Sequence, residues 1–308
     1  MPEFNSSRGK MVSLNNKAVI PTRLELDSEF RFRCHPGCAC FTRCCRNIEI
    51  LLTPYDVVRM KRRLGMSSTD FLKKYTRYAE DEKTTHPLLY LRMDVEDDLY
   101  CPFVTPGQGE GKGCNIYSDR PAACRYYPVG QATHRIMDEK NEEPRHDEWY
   151  MIVKEGYCLG FQEDKKWTVA AWQKDQDSTL YDDMNREWKN IMMKQDLPKA
   201  DKNREKRQQM FYMASYDLDT FRRYVLESRF LEMFEVPPAT LEKIKENDIE
   251  LMKFSIGHLK YLLGISRELK LKPHVAEAQR ARIAEMRAQE DADREARIAE
   301  AKRAKLEK

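Results

Sequence analysis

The sequence lacks any run of about 18 consecutive apolar residues, the length that a helix needs to cross a membrane. Its first 16 residues, MPEFNSSRGKMVSLNN, contain no apolar stretch of the length found in secretory signal peptides. The net charge is also small, +3 from 54 basic and 51 acidic residues. These absences predict no membrane partner and no nucleic-acid partner, and they favour a cytoplasmic protein.

Nucleotide-binding and catalytic motifs are missing as well. Four glycines lie in the segment 101–114, CPFVTPGQGEGKGC, but the Gly-Lys-Ser/Thr ending of a phosphate-binding loop does not follow them. A flexible hairpin between two cysteines explains this segment better. No Ser/His/Asp series and no carboxylate pair has a spacing that indicates catalysis, so no catalytic residue is assigned.

Cysteine is what the sequence has in excess. Of its nine cysteines, eight fall between Cys34 and Cys124, and five of those occupy the stretch CHPGCACFTRCC that ends at Cys45. A zinc ion or an iron–sulfur cluster binds about four thiolates, at roughly 2.3 Å in the case of zinc. The alternatives are scattered redox-active thiols and a disulfide framework, which needs an oxidising compartment and leaves one of nine thiols unpaired. Ligation of a metal or cluster is the favoured interpretation.

The hydrophobic periodicity predicts an α+β fold that is predominantly helical. In this fold a small irregular cysteine-rich module with short strands precedes a helical region and a charged C-terminal helix. The expected limits are a flexible segment 1–25, a metal-binding domain 26–164, a helical region 165–272 packed on that domain, and a solvent-exposed helical tail 273–308.

Local signals predict individual elements inside these limits. Thr53-Pro54 is typical of a helix start, and Gly65 of the end of that helix. A second helix is expected to begin at Ser67 or Ser68. The aromatic residues between 211 and 234 are interpreted as helix-packing core. Short strands are expected at residues 29–33, 86–93 and 149–153.

Further motifs follow the first cysteines in a fixed order. They are Leu-Thr-Pro-Tyr-Asp at 52–56, Cys-Pro-Phe at 101–103, Cys-Asn-Ile-Tyr at 114–117 and RPAACRYYP at 120–128. Together with the double cysteine, this order resembles the YkgJ-like cysteine-cluster family, whose members are described as zinc- or iron-chelating CxxCxxCC domains. The resemblance covers roughly residues 30–161. It implies a metal-binding module more clearly than it implies an activity.

The resemblance also implies a ligand set. The spacing C-x3-C-x-C-x3-C-C holds one thiol more than the family pattern, and by comparison with the family Cys38 is the spare. We therefore expect that Cys38→Ser changes the bound metal little. His35 adjoins the first ligand and is able to bind metal, but a turn residue is the simpler interpretation. The implied metal ligands are Cys34, Cys40, Cys44, Cys45, Cys101, Cys114, Cys124 and Cys158.

Eight thiols suit two zinc sites, two clusters, or one of each. No C-x2-C pair of the kind found in zinc ribbons is present, which favours an iron–sulfur cluster over zinc by a small margin. Four thiolates on zinc or on a cubane cluster leave about two net negative charges. Arginines beside the cysteines are able to donate N–H···S hydrogen bonds, or alternatively pair with acids at the surface. The arginines expected to face the sulfurs are Arg46, Arg120 and Arg125, and Arg43 is a fourth that flanks them.

Three functions fit these patterns. The leading one is a metal-binding protein whose thiolate site holds an iron–sulfur cluster or zinc. The second is a cluster-dependent protein-modification enzyme, since the flagellin lysine N-methylase family also carries a related cysteine cluster. The third is an adaptor that binds a protein partner through its C-terminal helix. That segment, 275–308, is mainly Ala, Arg, Lys and Glu, with Ile283, Met286, Ile298 and Leu306 as its sizeable apolar residues.

Overall fold

The computed structural model of this protein describes residues 17–82, 84–94, 96–136, 145–194 and 204–306. The fold is α+β and predominantly helical, which confirms the predicted class. The chain forms two compact units, Met1–Arg204 and Glu205–Lys308. This division falls later than the limit expected after residue 164. One reason is that the helix carrying Tyr181 packs against the first helix of the chain, where the Tyr55 and Tyr181 ring centroids lie 4.9 Å apart.

The strands of the first unit are short and pair antiparallel. Within the described residues the strands are β1 (Lys17–Leu24), β2 (Glu29–Arg31), β3 (Thr76–Glu80), β4 (Pro87–Leu91), β5 (Val104–Thr105), β6 (Gly113–Cys114), β7 (Val129–Ile136), β8 (Arg145–Glu155) and β9 (Lys166–Thr168). A three-stranded sheet has the order β1-β8-β7, and the pairs β2-β9, β3-β4 and β5-β6 form two-stranded sheets. Strands predicted at residues 29–33, 86–93 and 149–153 are confirmed as β2, β4 and β8.

Strand β1 lies within the segment that was expected to be flexible. Its register places Val19 opposite Val153 and Ile20 opposite Ile152. Residues 17–20 pair antiparallel with residues 152–155, so this part of the segment belongs to the sheet. The earlier part of the expected flexible segment, residues 1–16, lies outside the described residues.

The first helix of the chain begins and ends where the sequence predicts. Thr53 caps it, Asp56 closes a reciprocal capping box, and Gly65 follows its end with a φ of +62° that glycine adopts without strain. The second helix starts at Ser68 after the N-cap Ser67, as predicted. The helices of the first unit are α1 (Pro54–Arg63), α2 (Ser68–Tyr75), α3 (Ala122–Tyr126), α4 (Val169–Asp175) and α5 (Ser178–Lys194).

An aromatic core lies directly before the first cysteines. The Phe32 ring meets those of Trp172 and Phe161 edge-on, at centroid distances of 5.5 and 5.1 Å. The Phe32 N–H donates to the Lys165 carbonyl at 2.9 Å and the Arg33 N–H to the Gly160 carbonyl at 3.0 Å. The chain therefore enters the cysteine-rich segment alongside residues 160–165.

The second unit is a set of helices with an aromatic core, as the sequence predicts. Phe221 and Phe230 are completely buried, and their ring centroids lie 6.4 and 6.0 Å from that of Phe254. Its elements are α6 (Arg204–Ser215), α7 (Leu218–Glu227), α8 (Phe230–Met233), β10 (Phe234–Glu235), α9 (Pro238–Glu246), α10 (Asp248–Leu262), β11 (Lys270–Leu271) and α11 (Pro273–Leu306).

Helix α11 is the charged tail expected from the sequence. Residues 277–297 are all exposed, including the apolar Ile283 and Met286. Within the described part of the chain, no helix combines the length and the apolar character that crossing a membrane requires.

A buried histidine makes the second unit sensitive to acid. His258 is 1% exposed among the rings of Phe230 and Phe234, and neither of its nitrogens has a hydrogen-bond partner among the described residues. Burial lowers the pKa of His258 from 6.5 to about 4. Below pH 6.5 the unfolded chain takes up this proton and the folded chain does not, so stability is lost as the pH falls through about 4.

We expect the free energy of unfolding to drop by up to about 3 kcal/mol as the pH falls from 6.5 to about 4. The cause is that protonation of folded His258 would place a charge in an apolar pocket. Urea titrations at several pH values, followed by helical circular dichroism, measure the drop. His258→Leu should remove this pH dependence. The matched control is His274→Leu, at an exposed position of α11, which should retain it. Equal acid sensitivity in the two variants would contradict the assignment.

Candidate metal centre

A tightly turned loop, residues 34–45, carries five of the cysteines. Its backbone closes one turn after another: the Cys38 N–H donates to the His35 carbonyl at 3.0 Å, Phe41 to Cys38 at 2.9 Å, and Cys45 to Thr42 at 2.9 Å. We call this segment the cysteine loop. Because it folds back on itself, thiols that are close in sequence point into different surroundings.

The Cys34 thiol lies within electrostatic reach of four others, those of Cys44, Cys38, Cys40 and Cys158. We call the predicted ligands among these five the loop group: Cys34, Cys40, Cys44 and Cys158. The Leu159 N–H donates to the Cys40 sulfur at 3.2 Å, which places residues 158–159 against the cysteine loop. Burial and the nearby thiolates of Cys44, Cys38, Cys40 and Cys158 together raise the pKa of Cys34 to about 12. Burial also raises the pKa of Cys158, with further contributions from Cys40 and Cys44.

The other four predicted ligands form a second group, the hairpin group: Cys45, Cys101, Cys114 and Cys124. The Cys101 N–H donates to the Cys45 carbonyl at 2.8 Å, and Cys114 pairs with Val104 in the hairpin β5-β6. Burial raises the pKa of Cys124, and the Cys101 and Cys114 thiolates raise it further. The hairpin between Cys101 and Cys114, predicted from the glycine-rich segment, is therefore present.

The two groups meet at the double cysteine. The thiols of Cys44 and Cys45 are hydrogen-bonded to each other, and this contact lowers the pKa of Cys44 and raises that of Cys45. Cys45 lies within electrostatic reach of Cys124 and Cys101, whereas the Cys44 charge acts on Cys34 and Cys158. Adjacent residues thus supply one sulfur to each group.

Backbone N–H groups are aimed at several of these sulfurs. Burial raises the pKa of Cys101 to about 11, and a hydrogen bond from the Phe103 N–H opposes that rise. The same contact, from the residue two positions further on, occurs at Cys114 from Ile116 and at Cys158 from Gly160. Hydrogen bonds to sulfur favour the thiolate, which is the form that binds metal. Of the eight grouped cysteines, Cys34 is exposed and the other seven are half-buried. Thiols with such donors fit zinc or iron, the metals that soft sulfur ligands select.

Arg120 is the predicted arginine that lies beside the sulfurs. Burial lowers the pKa of Arg120, and the Cys124 and Cys114 thiolates act in the opposite direction. Its guanidinium donates to the Tyr117 carbonyl and to the Gln176 side chain. Its positive charge therefore reaches the hairpin group while its N–H groups hold the neighbouring loop.

The other two predicted arginines have different partners. Arg125 is buried and donates to the carbonyls of Arg120, Ser118 and Gln176, so it braces the segment that leads into α3. Arg46 is exposed and pairs with Asp98. The flanking Arg43 lies over the Tyr157 ring, 5.0 Å from its centroid.

A residue that the sequence analysis did not single out positions Cys124. Asp56 is completely buried, and its carboxylate accepts hydrogen bonds from the Thr53 N–H and from the Ala122 N–H, each at 2.8 Å. Ala122 begins α3, two residues before Cys124. The capping signal Thr-Pro-Tyr-Asp predicts the hydrogen bond from Thr53 to Asp56. Nothing in the sequence predicts the hydrogen bond from Ala122 to Asp56.

The cysteines of both groups lie within one segment of the chain, and that segment matches a known family. Residues 33–159, which contain all eight grouped cysteines, match the family model CxxCxxCC, described as "Putative zinc- or iron-chelating domain". The match confirms the resemblance seen in the motifs, and the chain carries this domain. No solved structure matches the chain.

Proposed function

We propose that this chain is a cytoplasmic metal-binding protein whose eight grouped cysteines hold two adjacent thiolate centres. The observation that carries the proposal is the match of residues 33–159 to a zinc- or iron-chelating family. The eight predicted ligands give each of two centres four sulfurs, the number that a zinc ion or a cubane cluster binds. The loop group would hold one centre and the hairpin group the other. The centres would be neighbours because Cys44 and Cys45 are consecutive.

The spacing of the sulfurs supports iron–sulfur clusters over zinc. Four sulfurs at 2.3 Å from one zinc ion lie about 3.8 Å from each other. Within the described residues, the metal-ligating atoms of His35, Cys38 and Glu163 lie within 4.8 Å of one another. None of the eight grouped sulfurs belongs to this set. In a cubane cluster each thiolate binds a different iron, so wider separations suit it.

The surrounding residues have definable roles toward such centres. A bound cluster would supply one-electron chemistry, whereas zinc would supply a redox-inert cross-link. Arg120 offsets negative charge at the hairpin group, and the Leu159 N–H does so at the loop group. Asp56 holds the start of the helix that carries Cys124.

Anaerobic purification with elemental analysis and an absorption spectrum tests the metal. We expect a brown protein with about eight irons and matching acid-labile sulfide per chain, and a broad band near about 400 nm from thiolate-to-iron charge transfer. A colourless protein with two zinc ions would keep the two centres and reject the clusters. A protein with neither metal would reject the proposal.

An adaptor function is the second candidate, because α11 exposes Ile283 and Met286 three residues apart on a long charged helix. Removing residues 273–308 separates the two functions. Under the leading proposal, metal per chain and the absorption spectrum stay unchanged. If α11 also binds a partner, the truncated chain loses that association while its metal content stays unchanged. Light scattering of the isolated complex measures the association.

A further inference from the structure

A third set of metal-ligating atoms lies beside the loop group and uses none of its sulfurs. The side-chain ligand atoms of His35, Cys38 and Glu163 all lie within 4.8 Å of one another. We propose that these three residues bind one divalent ion of the zinc class, separately from the two thiolate centres. Cys38, the thiol that the family comparison leaves over, then has a function of its own.

The backbone holds two of the three ligands in one turn. The Cys38 N–H donates to the His35 carbonyl at 3.0 Å, and the Pro36 carbonyl accepts a 3.0 Å hydrogen bond from the Gly109 N–H. A Cβ on Gly37 would lie 3.0 Å from the His35 ring, so glycine at this position allows the imidazole to fold beneath the turn. The spacing His-x2-Cys thus becomes a fixed pair of donors.

The third ligand arrives from a distant part of the chain. Glu163 follows the short 3-10 turn Leu159–Gln162, and this turn is the one whose first N–H donates to the Cys40 sulfur. The Glu163 Oε2 atom lies 3.4 Å from the His35 Nε2 atom. The contact that joins residues 158–160 to the cysteine loop therefore also delivers a carboxylate to His35.

The imidazole nitrogen at this position has no hydrogen bond. The His35 Nε2 atom is buried and lies 3.4 Å from the Glu163 Oε2 atom. This nitrogen has no hydrogen-bond partner among the described residues. Buried polar atoms normally have a partner, so an unpartnered nitrogen beside a carboxylate and a thiol is available to bind a metal ion. Cys38 is 6% exposed, so the thiol forms the inner wall of the site.

The ligand chemistry selects the ion. One imidazole, one thiolate and one carboxylate suit Zn²⁺, Fe²⁺ or Co²⁺, whereas Mg²⁺ and Ca²⁺ prefer oxygen ligands alone. Three protein ligands leave a fourth position for water, and about a third of the His35 and Glu163 side chains is exposed. The ion would therefore exchange with solvent.

One local rearrangement accompanies binding. The Gly37 N–H donates to His35 Nδ1 at 3.2 Å, which places the proton of a neutral imidazole on Nε2. An ion on Nε2 moves that proton to Nδ1, so the hydrogen bond from Gly37 must break. The Gly37 amide resonance is therefore expected to shift when the ion binds.

Cobalt titration of the full chain tests the site. The protein is purified anaerobically, its resident metal is measured, and Co²⁺ is added in metal-free buffer. We expect one further cobalt per chain with a thiolate-to-cobalt absorption band. Cys38→Ser should abolish the band, and His35→Gln and Glu163→Gln should each weaken binding at least tenfold while resident metal stays unchanged. The control is Asp164→Asn, at the exposed neighbour of Glu163, which should bind cobalt as the unmodified protein does.

Two results overturn the inference. In one, all three variants bind the additional cobalt with unchanged affinity and spectrum. In the other, Cys38→Ser lowers the resident iron or zinc as Cys44→Ser does, while the His35 and Glu163 variants leave both resident metal and cobalt binding unchanged. Cys38 would then belong to the thiolate centres. Failure of the proposed function is read separately, from resident metal before cobalt is added. A cobalt equivalent that depends on His35 and Glu163 stands whether or not the eight cysteines hold metal.

Discussion

Cys124→Ser should remove the metal of the hairpin group and unfold most of residues 30–160. The four cysteines of that group come from the cysteine loop, the two ends of the β5-β6 hairpin, and α3, so one bound centre ties three separate segments together. Binding of a structural metal contributes about 10–16 kcal/mol in small zinc domains, against a total stability of about 5–15 kcal/mol for a typical domain. Metal content by elemental analysis and thermal unfolding by circular dichroism measure the two effects.

A comparison of serine substitutions tests whether the effect is specific. Cys44→Ser should cause a loss of similar size through the loop group. Cys38→Ser should leave the iron or zinc of the two groups, and the melting temperature of residues 30–160, close to those of the unmodified chain. Strong chelation of the intact protein should reproduce the unfolding. If Cys124→Ser kept its full metal content and melting temperature, the assignment of the hairpin group would be wrong.

Asp56→Ala should be the most damaging substitution outside the cysteines. The carboxylate is fully buried and accepts hydrogen bonds from Thr53 and Ala122, so its removal leaves two backbone N–H groups without this acceptor. Losing one partner of a buried charged network costs about 3–5 kcal/mol. We expect this loss in urea unfolding, together with weaker retention of metal, because Cys124 lies on the helix that Ala122 begins.

The matched control for Asp56 is Asp70→Ala. Asp70 occupies the equivalent position in α2, where the Ser67 hydroxyl accepts from its N–H and donates to its carboxylate, but these contacts are exposed. Its loss should cost at most about 1 kcal/mol and leave the bound metal unchanged. Equal effects of the two substitutions would show that Asp56 is only a helix cap and does not position Cys124.

Much of the local structure was predictable because its causes are local. Thr53 and Gly65 bound α1 since capping and left-handed backbone are properties of a few consecutive residues. The aromatic pattern of 211–234 predicted a core, which the second unit contains. Arg46 illustrates the opposite case: its sequence position beside Cys45 predicted contact with sulfur, but the Asp98 carboxylate is its partner. Adjacency in the chain does not decide where a long flexible side chain points.

The sequence by itself determined the chemistry of this protein: a surplus of thiols in a recognisable order, short strands and helices with readable ends, and a charged terminal helix. The tertiary structure alone decided how those thiols are shared. It separates Cys44 from Cys45, brings Cys158 to the cysteine loop and Glu163 to His35, and ties Asp56 to Ala122. The physical reason is that ligation and burial depend on distances between segments far apart in the chain, whereas residue order specifies only what each segment can offer.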